Sequence, residues 1–260
     1  MQALRETQLF LVDMDGTFYM EDTLLPGALD FLRAVENARK RAIFLTNNSS
    51  KTNSEYKDKM AKFGLCLGQD SIFTSADATI AYMKRNYPEN RMLVIGTNAL
   101  VHQFRMERFH VTDEDPSAVV LGFDTSINYE KLTKLCNAVR NGALYVATHP
   151  DFNCPVKGGY IPDIGAVIAF VKAATGREPD VIIGKPHAPI VEEVANRFGV
   201  PLDKITMIGD RLYTDIAMGK WGIQTALVLT GETKMEDLEN SAIKPDYIFE
   251  NIGEMATLLK

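Results

Sequence analysis

One short stretch near the start of the chain constrains the fold more than any other. Residues 9–12 are four consecutive apolar residues, and they lead directly into Asp13, Met14, Asp15 and Gly16. The run is too short for a helix and lacks the alternation of a half-exposed strand. It therefore predicts a strand buried on both faces, as in a parallel sheet covered by helices. Two carboxylates at the end of such a strand are costly unless a cation or a phosphoryl reaction uses them. A solvated acidic turn is the alternative for this motif by itself.

Composition excludes several classes of protein. The chain has 260 residues, of which 46% are hydrophobic and 24% charged, with a net charge of −6. The acidic balance and the lack of a dense basic block argue against nucleic-acid binding. No apolar run is long enough to cross a bilayer, and residues 1–8 lack a signal pattern. The three widely spaced cysteines indicate reduced thiols. We therefore expect a cytoplasmic protein that acts on neither nucleic acid nor membrane.

Strands and helices alternate along the whole chain. This alternation predicts an α/β fold with doubly wound, mostly parallel sheets. A break near residues 87–91, followed by a fresh alternation, predicts a second α/β domain inserted in the middle third. We place the inserted domain at residues 79–180 and the domain that surrounds it at residues 1–78 and 181–260. Within the insertion, residues 148–163 are expected to form a long structureless loop, a feature that is often functional.

Polar groups follow four of the predicted strands at their carboxyl ends. They are Asp13 with Asp15, Thr46 with Asn47, Lys185, and Asp210 with Asp215. The ligand crevice of an open α/β sheet lies beyond the carboxyl ends of its strands. We therefore expect these groups to meet at one edge, with the strand over residues 181–183 delivering Lys185.

The charges of these groups predict a metal ion. Ionised Asp13, Asp210 and Asp215 outweigh Lys185, and a bound phosphate would add further negative charge. A hard divalent cation held by oxygen ligands, Mg²⁺, is expected to reduce this excess. The cation and Lys185 would also keep Asp13 ionised and able to attack. Backbone N–H groups at helix N-termini can hold phosphate oxygens. The reaction inferred from these residues is phosphoryl transfer to a carboxylate, followed by hydrolysis.

Four segments match, in order, the motifs of a known family. They are Asp13-Met14-Asp15-Gly16-Thr17, Thr46-Asn47-Asn48, Gly184-Lys185-Pro186, and Gly209-Asp210-Arg211 with Asp215. This set resembles the four motifs of the haloacid dehalogenase superfamily of phosphatases. The α/β unit inserted between the second and third motifs resembles class IIA, the group of the NagD-type and nitrophenylphosphatase-type enzymes. The resemblance covers essentially the full chain.

The resemblance implies a role for each motif residue. Asp13 would be the nucleophile that forms an aspartyl-phosphate. Asp15 would protonate the leaving group and later activate water. Thr46 and the backbone of Asn47 would hold the phosphoryl oxygens, while Lys185 would neutralise charge on the phosphoryl group.

The resemblance also implies a metal shell and a cap. The Mg²⁺ would be held by the Asp13 carboxylate, the Asp15 backbone carbonyl and Asp210, with Asp215 orienting that shell. The inserted domain would be a cap that selects the leaving group and mediates a homodimer. Its substrate-loop residues would be His149, Asp151 and Asn153.

The activity that the resemblance implies is a Mg²⁺-dependent phosphomonoesterase for small esters. The expected substrates are sugar or polyol phosphates and nitrophenyl phosphate, with nucleoside monophosphates as a further class. The segment Asn153-Cys154-Pro155 stands where the pyridoxal-phosphate phosphatases of this family carry a histidine, which disfavours pyridoxal phosphate. A phosphomutase and a phospho-accepting signalling module are alternatives that use a similar acidic Mg²⁺ site. A dehalogenase is disfavoured by Asp15, because a halide leaves without a proton.

Overall fold

The computed structural model describes residues 2–68, 70–156 and 158–259. The chain divides into two compact units. The first comprises Met1–Thr46, Lys57–Phe73 and Val191–Lys260, and the second comprises Asn47–Tyr56 and Thr74–Ile190. Among the described residues, no helix is both long enough and apolar enough to cross a membrane.

The elements alternate as the sequence predicts. The strands are β1 (Leu9–Val12), β2 (Tyr19–Met20), β3 (Thr23–Leu24), β4 (Arg41–Thr46), β5 (Ile72–Thr74), β6 (Arg91–Ile95), β7 (His110–Val111), β8 (Ala118–Leu121), β9 (Leu144–Ala147), β10 (Asn153–Val156), β11 (Gly159–Pro162), β12 (Val181–Ile182), β13 (Ile205–Gly209), β14 (Gln224–Val228) and β15 (Tyr247–Phe249). The helices are α1 (Gln2–Glu6), α2 (Ala28–Asn37), α3 (Asn53–Lys62), α4 (Ser75–Asn86), α5 (Asn98–Met106), α6 (Tyr129–Arg140), α7 (Ile164–Thr175), α8 (Ala188–Phe198), α9 (Met235–Asn240) and α10 (Ile252–Leu258). Short 3-10 turns cover Leu202–Lys204 and Ile216–Trp221.

The sheet of the first unit has β1 at its centre. Its strand order is β15-β14-β13-β1-β4-β5. β1 runs parallel to both neighbours, with Leu11 in register with Met207 of β13 and Ile43 of β4. All four residues of β1 are buried, as the unbroken apolar run predicts. Because β1 and β13 end side by side, the residues that follow them share one edge of the sheet.

The second unit has its own sheet, in the order β12-β9-β8-β6-β7, and the pairs between these strands are parallel. Its strands β8 and β9 pack with α6 and α7 around buried residues such as Val119, Leu135 and Tyr145. The expectation that residues 181–183 share a sheet with the strand before Asp13 is wrong, because Val181 and Ile182 pair with Val146 and Ala147 of β9. A three-residue apolar run marks a strand but does not specify its partner.

The predicted structureless loop over residues 148–163 is also wrong. It contains the antiparallel hairpin of β10 and β11, in which Cys154 pairs with Ile161. Gly158 permits the turn with φ of +86°. Most positions of both strands are exposed, and each strand contains a proline, so the apolar pattern that marks a strand is missing. Residue 157 lies outside the described part of the chain.

Candidate active site

Three carboxylates meet at the carboxyl edge of the first unit's sheet. Asp13 follows β1, Asp210 follows β13, and Asp215 precedes the 3-10 turn that leads towards β14. One carboxylate oxygen from each lies within 4.8 Å of the other two. Asp210 is 2% exposed and Asp215 is fully buried. Buried carboxylates this close repel one another unless a cation is present, and an all-oxygen donor set suits a hard divalent ion. The residues therefore fit a metal such as Mg²⁺.

One backbone N–H and one side-chain hydroxyl hold Asp210 in this cluster. The Glu232 N–H donates to Asp210 Oδ2 at 2.8 Å, and the Thr17 hydroxyl lies 3.4 Å from Oδ1. Two glycines pack against the same carboxylate. A Cβ atom at Gly16, whose φ is +86°, would lie 2.5 Å from Asp210 Oδ2, and one at Gly231 would overlap it. The close approach of both backbones to Asp210 therefore requires glycine.

Arg211 places a positive charge beside the carboxylates, and the sequence prediction missed this role. Its backbone N–H donates to Asp215 Oδ2 at 3.2 Å, and its Nε lies 3.0 Å from Glu232 Oε2. Burial opposes the charge of the guanidinium, but the charges of Asp13, Asp210, Tyr213 and Glu232 together outweigh burial and raise the pKa of Arg211 above its ordinary value. The guanidinium therefore offsets part of the negative charge of the cluster.

Asp15 lies on the exposed side of the same strand end. The Tyr19 hydroxyl donates to Asp15 Oδ2 at 3.1 Å, and Lys59 Nζ lies 3.9 Å from Oδ1. Neither Tyr19 nor Lys59 was identified from the sequence. Thr46 is the last residue of β4, the strand beside β1.

A second polar cluster lies within the second unit and centres on Asn47. Asn47 Oδ1 accepts the backbone N–H of Lys185 at 2.8 Å, and its Nδ2 donates to the Lys185 carbonyl at 2.9 Å. The same Nδ2 lies 3.1 and 3.2 Å from the two carboxylate oxygens of Asp151. A Cβ at Gly184 would lie 2.6 Å from Asn47 Oδ1, so glycine is needed there. The Asn47 side chain thus fixes the backbone of Lys185, which is 3% exposed.

His149 packs beside this cluster and is fully buried. Its Nδ1 lies 3.0 Å from the Thr148 hydroxyl and its Nε2 lies 3.0 Å from Asp163 Oδ1. Burial opposes a charge on the ring, but the hydrogen bond to Asp163 and the charges of Asp163 and Asp151 raise the pKa of His149, against the opposing charge of Lys185. Asp163 also accepts the N–H of Ile164 at 2.6 Å and so caps α7.

The sequence-predicted residues therefore fall into two groups within the described chain. Asp13, Asp210 and Asp215 form the cluster of the first unit, with Asp15 and Thr46 at ends of neighbouring strands. Asn47, Asp151 and Lys185 form the cluster of the second unit, with His149 beside it. Asn153 is exposed at the start of β10. The residues that sequence reasoning missed are Tyr19, Lys59, Asp163 and Arg211.

A separate cleft of about 740 Å³ opens in the first unit. Its lining includes Arg41 and Ala42, the first residues of β4. The cleft therefore lies at the amino end of β4, whereas Asp13 follows the carboxyl end of the parallel strand β1. It is not part of the acidic cluster.

Comparison with known proteins identifies the family. Family models match residues 10–110, described as haloacid dehalogenase-like hydrolase, and residues 182–255, described as HAD-hydrolase-like. A crystal structure of 4-nitrophenylphosphatase from Thermotoga maritima is similar with a TM-score of 0.96, at 44% identity over 99% of each chain. The chain is 33% identical to the acid sugar phosphatase of Staphylococcus epidermidis over 96% of its own length and 97% of the relative's. It is 30% identical to the ribonucleotide monophosphatase NagD of Escherichia coli, over 94% and 96%.

The parallel sheets and these relatives define an α/β phosphatase. The chain belongs to the haloacid dehalogenase-like hydrolases, within the class IIA phosphatases. The predicted fold class and the predicted enzyme class are confirmed.

Proposed function

We propose that this phosphatase is a Mg²⁺-dependent phosphomonoesterase that forms an aspartyl-phosphate on Asp13. The observation that carries the proposal is the grouping of Asp13 with Asp210 and Asp215 at adjoining strand ends. When bound, Mg²⁺ would neutralise charge on the phosphoryl group. Its ligands would be the carboxylates of Asp13 and Asp210 and the backbone carbonyl of Asp15, with Asp215 beside them.

The chain's own residues account for two chemical steps. In the first, a carboxylate oxygen of Asp13 attacks phosphorus, and the bond from phosphorus to the ester oxygen breaks. The electron pair of that bond goes to the ester oxygen, which takes a proton from Asp15. In the second, Asp15 takes a proton from water, whose oxygen attacks phosphorus. The bond between phosphorus and the Asp13 oxygen breaks, its electron pair restores the Asp13 carboxylate, and inorganic phosphate leaves.

We assign the binding of phosphoryl oxygens to Thr46, the backbone N–H of Asn47, and Lys185. The burial of Lys185 and the two hydrogen bonds between its backbone and the Asn47 side chain support this assignment. A lysine held in this way offers its charge at a fixed position with little loss of conformational freedom. For His149, Asp151 and Asn153 we propose contacts to the leaving group or support of such contacts.

Small phosphate esters are the substrates that we propose. The relatives are called acid sugar phosphatase, ribonucleotide monophosphatase and 4-nitrophenylphosphatase. We therefore propose sugar or polyol phosphates, nucleoside monophosphates and nitrophenyl phosphate, hydrolysed in the cytoplasm. The odd number and the wide separation of the three cysteines support a reducing compartment.

We also propose a homodimer through the predicted cap, residues 79–180. Helix α7 supports this proposal, because its sequence is apolar while Phe170 is 44% exposed and Ala169 and Ala173 are exposed beside it. Sedimentation velocity of the wild type and Phe170→Glu tests the proposal. We expect a dimer that the substitution converts to a monomer, and a monomeric wild type at all concentrations would refute the dimer.

The test of the proposed reaction is phosphate release from a panel of esters, with Mg²⁺ and with chelator. We expect metal-dependent release that falls at least about 1,000-fold in Asp13→Asn. Asp30→Asn is the matched control, because Asp30 is an exposed acid on α2 and should leave activity unchanged. No release from any ester by folded wild-type protein would contradict the proposal. A lasting aspartyl-phosphate on Asp13 would then indicate the phospho-accepting alternative.

A further inference from the structure

Two side chains lie next to the two oxygens of the Asp15 carboxylate, one as a hydrogen-bond donor and one as an ion-pair partner. The Tyr19 hydroxyl donates to Oδ2 at 3.1 Å, while Lys59 Nζ lies 3.9 Å from Oδ1. The carboxylate itself remains accessible, since 58% of the Asp15 side chain is exposed. A group that transfers protons to a substrate needs this combination of access and fixed orientation.

Tyr19 is held rigidly enough to orient Asp15. Its backbone N–H donates to the Met14 carbonyl at 3.1 Å, and its carbonyl accepts the N–H of Gly16 at 2.9 Å. The Tyr19 residue is 1% exposed, and its ring packs against Phe63 with 5.6 Å between centroids. The turn after β1 therefore brings the phenol back to Asp15 and fixes it there.

Lys59 reaches the same point from α3. Its Nζ lies over the Tyr19 ring, 3.7 Å from the centroid, which is the geometry of a cation–π contact. The Lys59 side chain is 26% exposed, so its ammonium is partly desolvated. Its Nζ at 3.9 Å from Asp15 Oδ1 restricts the directions in which the Asp15 carboxylate can point.

We propose that Tyr19 and Lys59 are positioning residues that orient Asp15 for protonation of the leaving group. This inference rests on the proposed function, in which Asp15 gives its proton to the ester oxygen. It assigns a role in proton transfer to two residues outside the four sequence motifs. Neither residue needs to touch the phosphoryl group.

The identity of the leaving group separates this role from a structural one. 4-Nitrophenolate is a stable anion near neutral pH and leaves without a proton. The alkoxide of glycerol phosphate is strongly basic and needs proton donation as the bond breaks. Because kcat/KM covers the steps up to departure of the leaving group, loss of Asp15 orientation should lower kcat/KM for glycerol phosphate far more than for 4-nitrophenyl phosphate.

The experiment compares kcat/KM for both esters in the wild type, Tyr19→Phe, Lys59→Met and Lys59→Arg. In Tyr19→Phe and Lys59→Met we expect a fall of about tenfold or more for glycerol phosphate and under about threefold for 4-nitrophenyl phosphate. Lys59→Arg keeps the charge and should restore most of the loss. Lys62→Met is the matched control, since Lys62 is exposed on the same helix and should change neither ester.

The outcomes distinguish this inference from the proposed function. An equal fall for both esters, or no change for either, in Tyr19→Phe and Lys59→Met would overturn the positioning role while leaving the phosphatase reaction intact. Wild-type protein that releases phosphate from neither ester would overturn the proposed function together with the inference. Lys59→Met changes a partly exposed side chain and should leave the protein folded. The ratio of kcat/KM for the two esters can therefore be measured in this variant even if Tyr19→Phe lowers stability.

Discussion

The contact between Asn47 and Asp151 makes a quantitative prediction for Asn47→Asp. The Asn47 Nδ2 donates to the Asp151 carboxylate and to the Lys185 carbonyl, whereas Oδ1 accepts the Lys185 N–H. The substitution keeps the acceptor, removes both donated hydrogen bonds, and places a second carboxylate against Asp151. Asn47 is 6% exposed, so water cannot replace the lost partners.

The magnitude follows from these contacts. Two donated hydrogen bonds at about 1 kcal/mol each give a loss of about 2 kcal/mol. Two unit charges at the 3.1 Å that separates Asn47 Nδ2 from Asp151 Oδ2 repel by about 5 kcal/mol at an effective dielectric constant of 20. Screening at the half-buried Asp151 reduces this repulsion to about 2–3 kcal/mol. We therefore expect Asn47→Asp to lower the free energy of unfolding by about 4–5 kcal/mol.

The double variant Asn47→Asp with Asp151→Asn tests the reasoning. The swap removes the like-charge contact and restores the hydrogen bond with donor and acceptor exchanged, so the loss should shrink to about 1–2 kcal/mol. Urea unfolding followed by circular dichroism measures the free energy of unfolding of the wild type, of Asn47→Asp and of the double variant. Asn137→Asp is the control, since Asn137 is exposed in the same unit and should change stability by less than about 0.5 kcal/mol. A double variant no more stable than Asn47→Asp would refute the argument.

Three further substitutions have defined outcomes. Tyr145→Phe should raise the free energy of unfolding by about 1 kcal/mol, because the buried Tyr145 hydroxyl has no hydrogen-bond partner among the described residues. A lower free energy of unfolding in urea would contradict this. His149→Gln should lower the free energy of unfolding more at about pH 5.5 than at about pH 9. The pKa of His149 is higher in the folded than in the unfolded protein, so the bond of protonated His149 to Asp163 stabilises the fold fully below the unfolded-state pKa. This stabilisation is lost as the pH rises through the folded-state pKa. An equal cost at both pH values in urea unfolding would contradict it. Gly16→Ala should weaken Mg²⁺ binding in calorimetry by about tenfold or more, because its Cβ would displace Asp210; unchanged affinity would contradict the packing argument.

The fold was predictable wherever an apolar run had clear ends. The strand over residues 144–147 has its predicted ends, as does that over residues 247–249. Asp246 and Glu250 border the second run, and Thr148 ends the first. The pairing of Val181 and Ile182 with β9 was not predictable. Their short run carries no information about which of two parallel sheets it joins, and only long-range packing decides that.

The acidic cluster could be predicted from the sequence for a physical reason. Carboxylates that follow adjoining parallel strands must share one sheet edge, and Asp13 and Asp210 do so. Tyr19 and Lys59 carry no such signal. Tyr19 reaches Asp15 through a tight turn, and Lys59 reaches it from helix α3, although it lies more than forty residues after Asp15 in the chain. Their contacts with Asp15 therefore become visible only in three dimensions.

Activity measurements on the Asn47 and Asp151 variants separate two roles for Asp151. The sequence indicates a substrate contact from the cap, whereas the structure shows its carboxylate bound to the Asn47 amide that fixes Lys185. If Asp151 acts by holding Asn47, Asp151→Asn should keep the ranking of esters by kcat/KM. In that case Asn47→Asp should lose activity on every ester, and the swap should restore it. If Asp151 contacts the leaving group, Asp151→Asn should reorder the esters and the swap should not return the wild-type ranking. The two roles thus predict opposite results in one panel of esters. A positioning role requires only that residues 47 and 151 stay hydrogen-bonded to each other, whereas a substrate contact requires the carboxylate at residue 151.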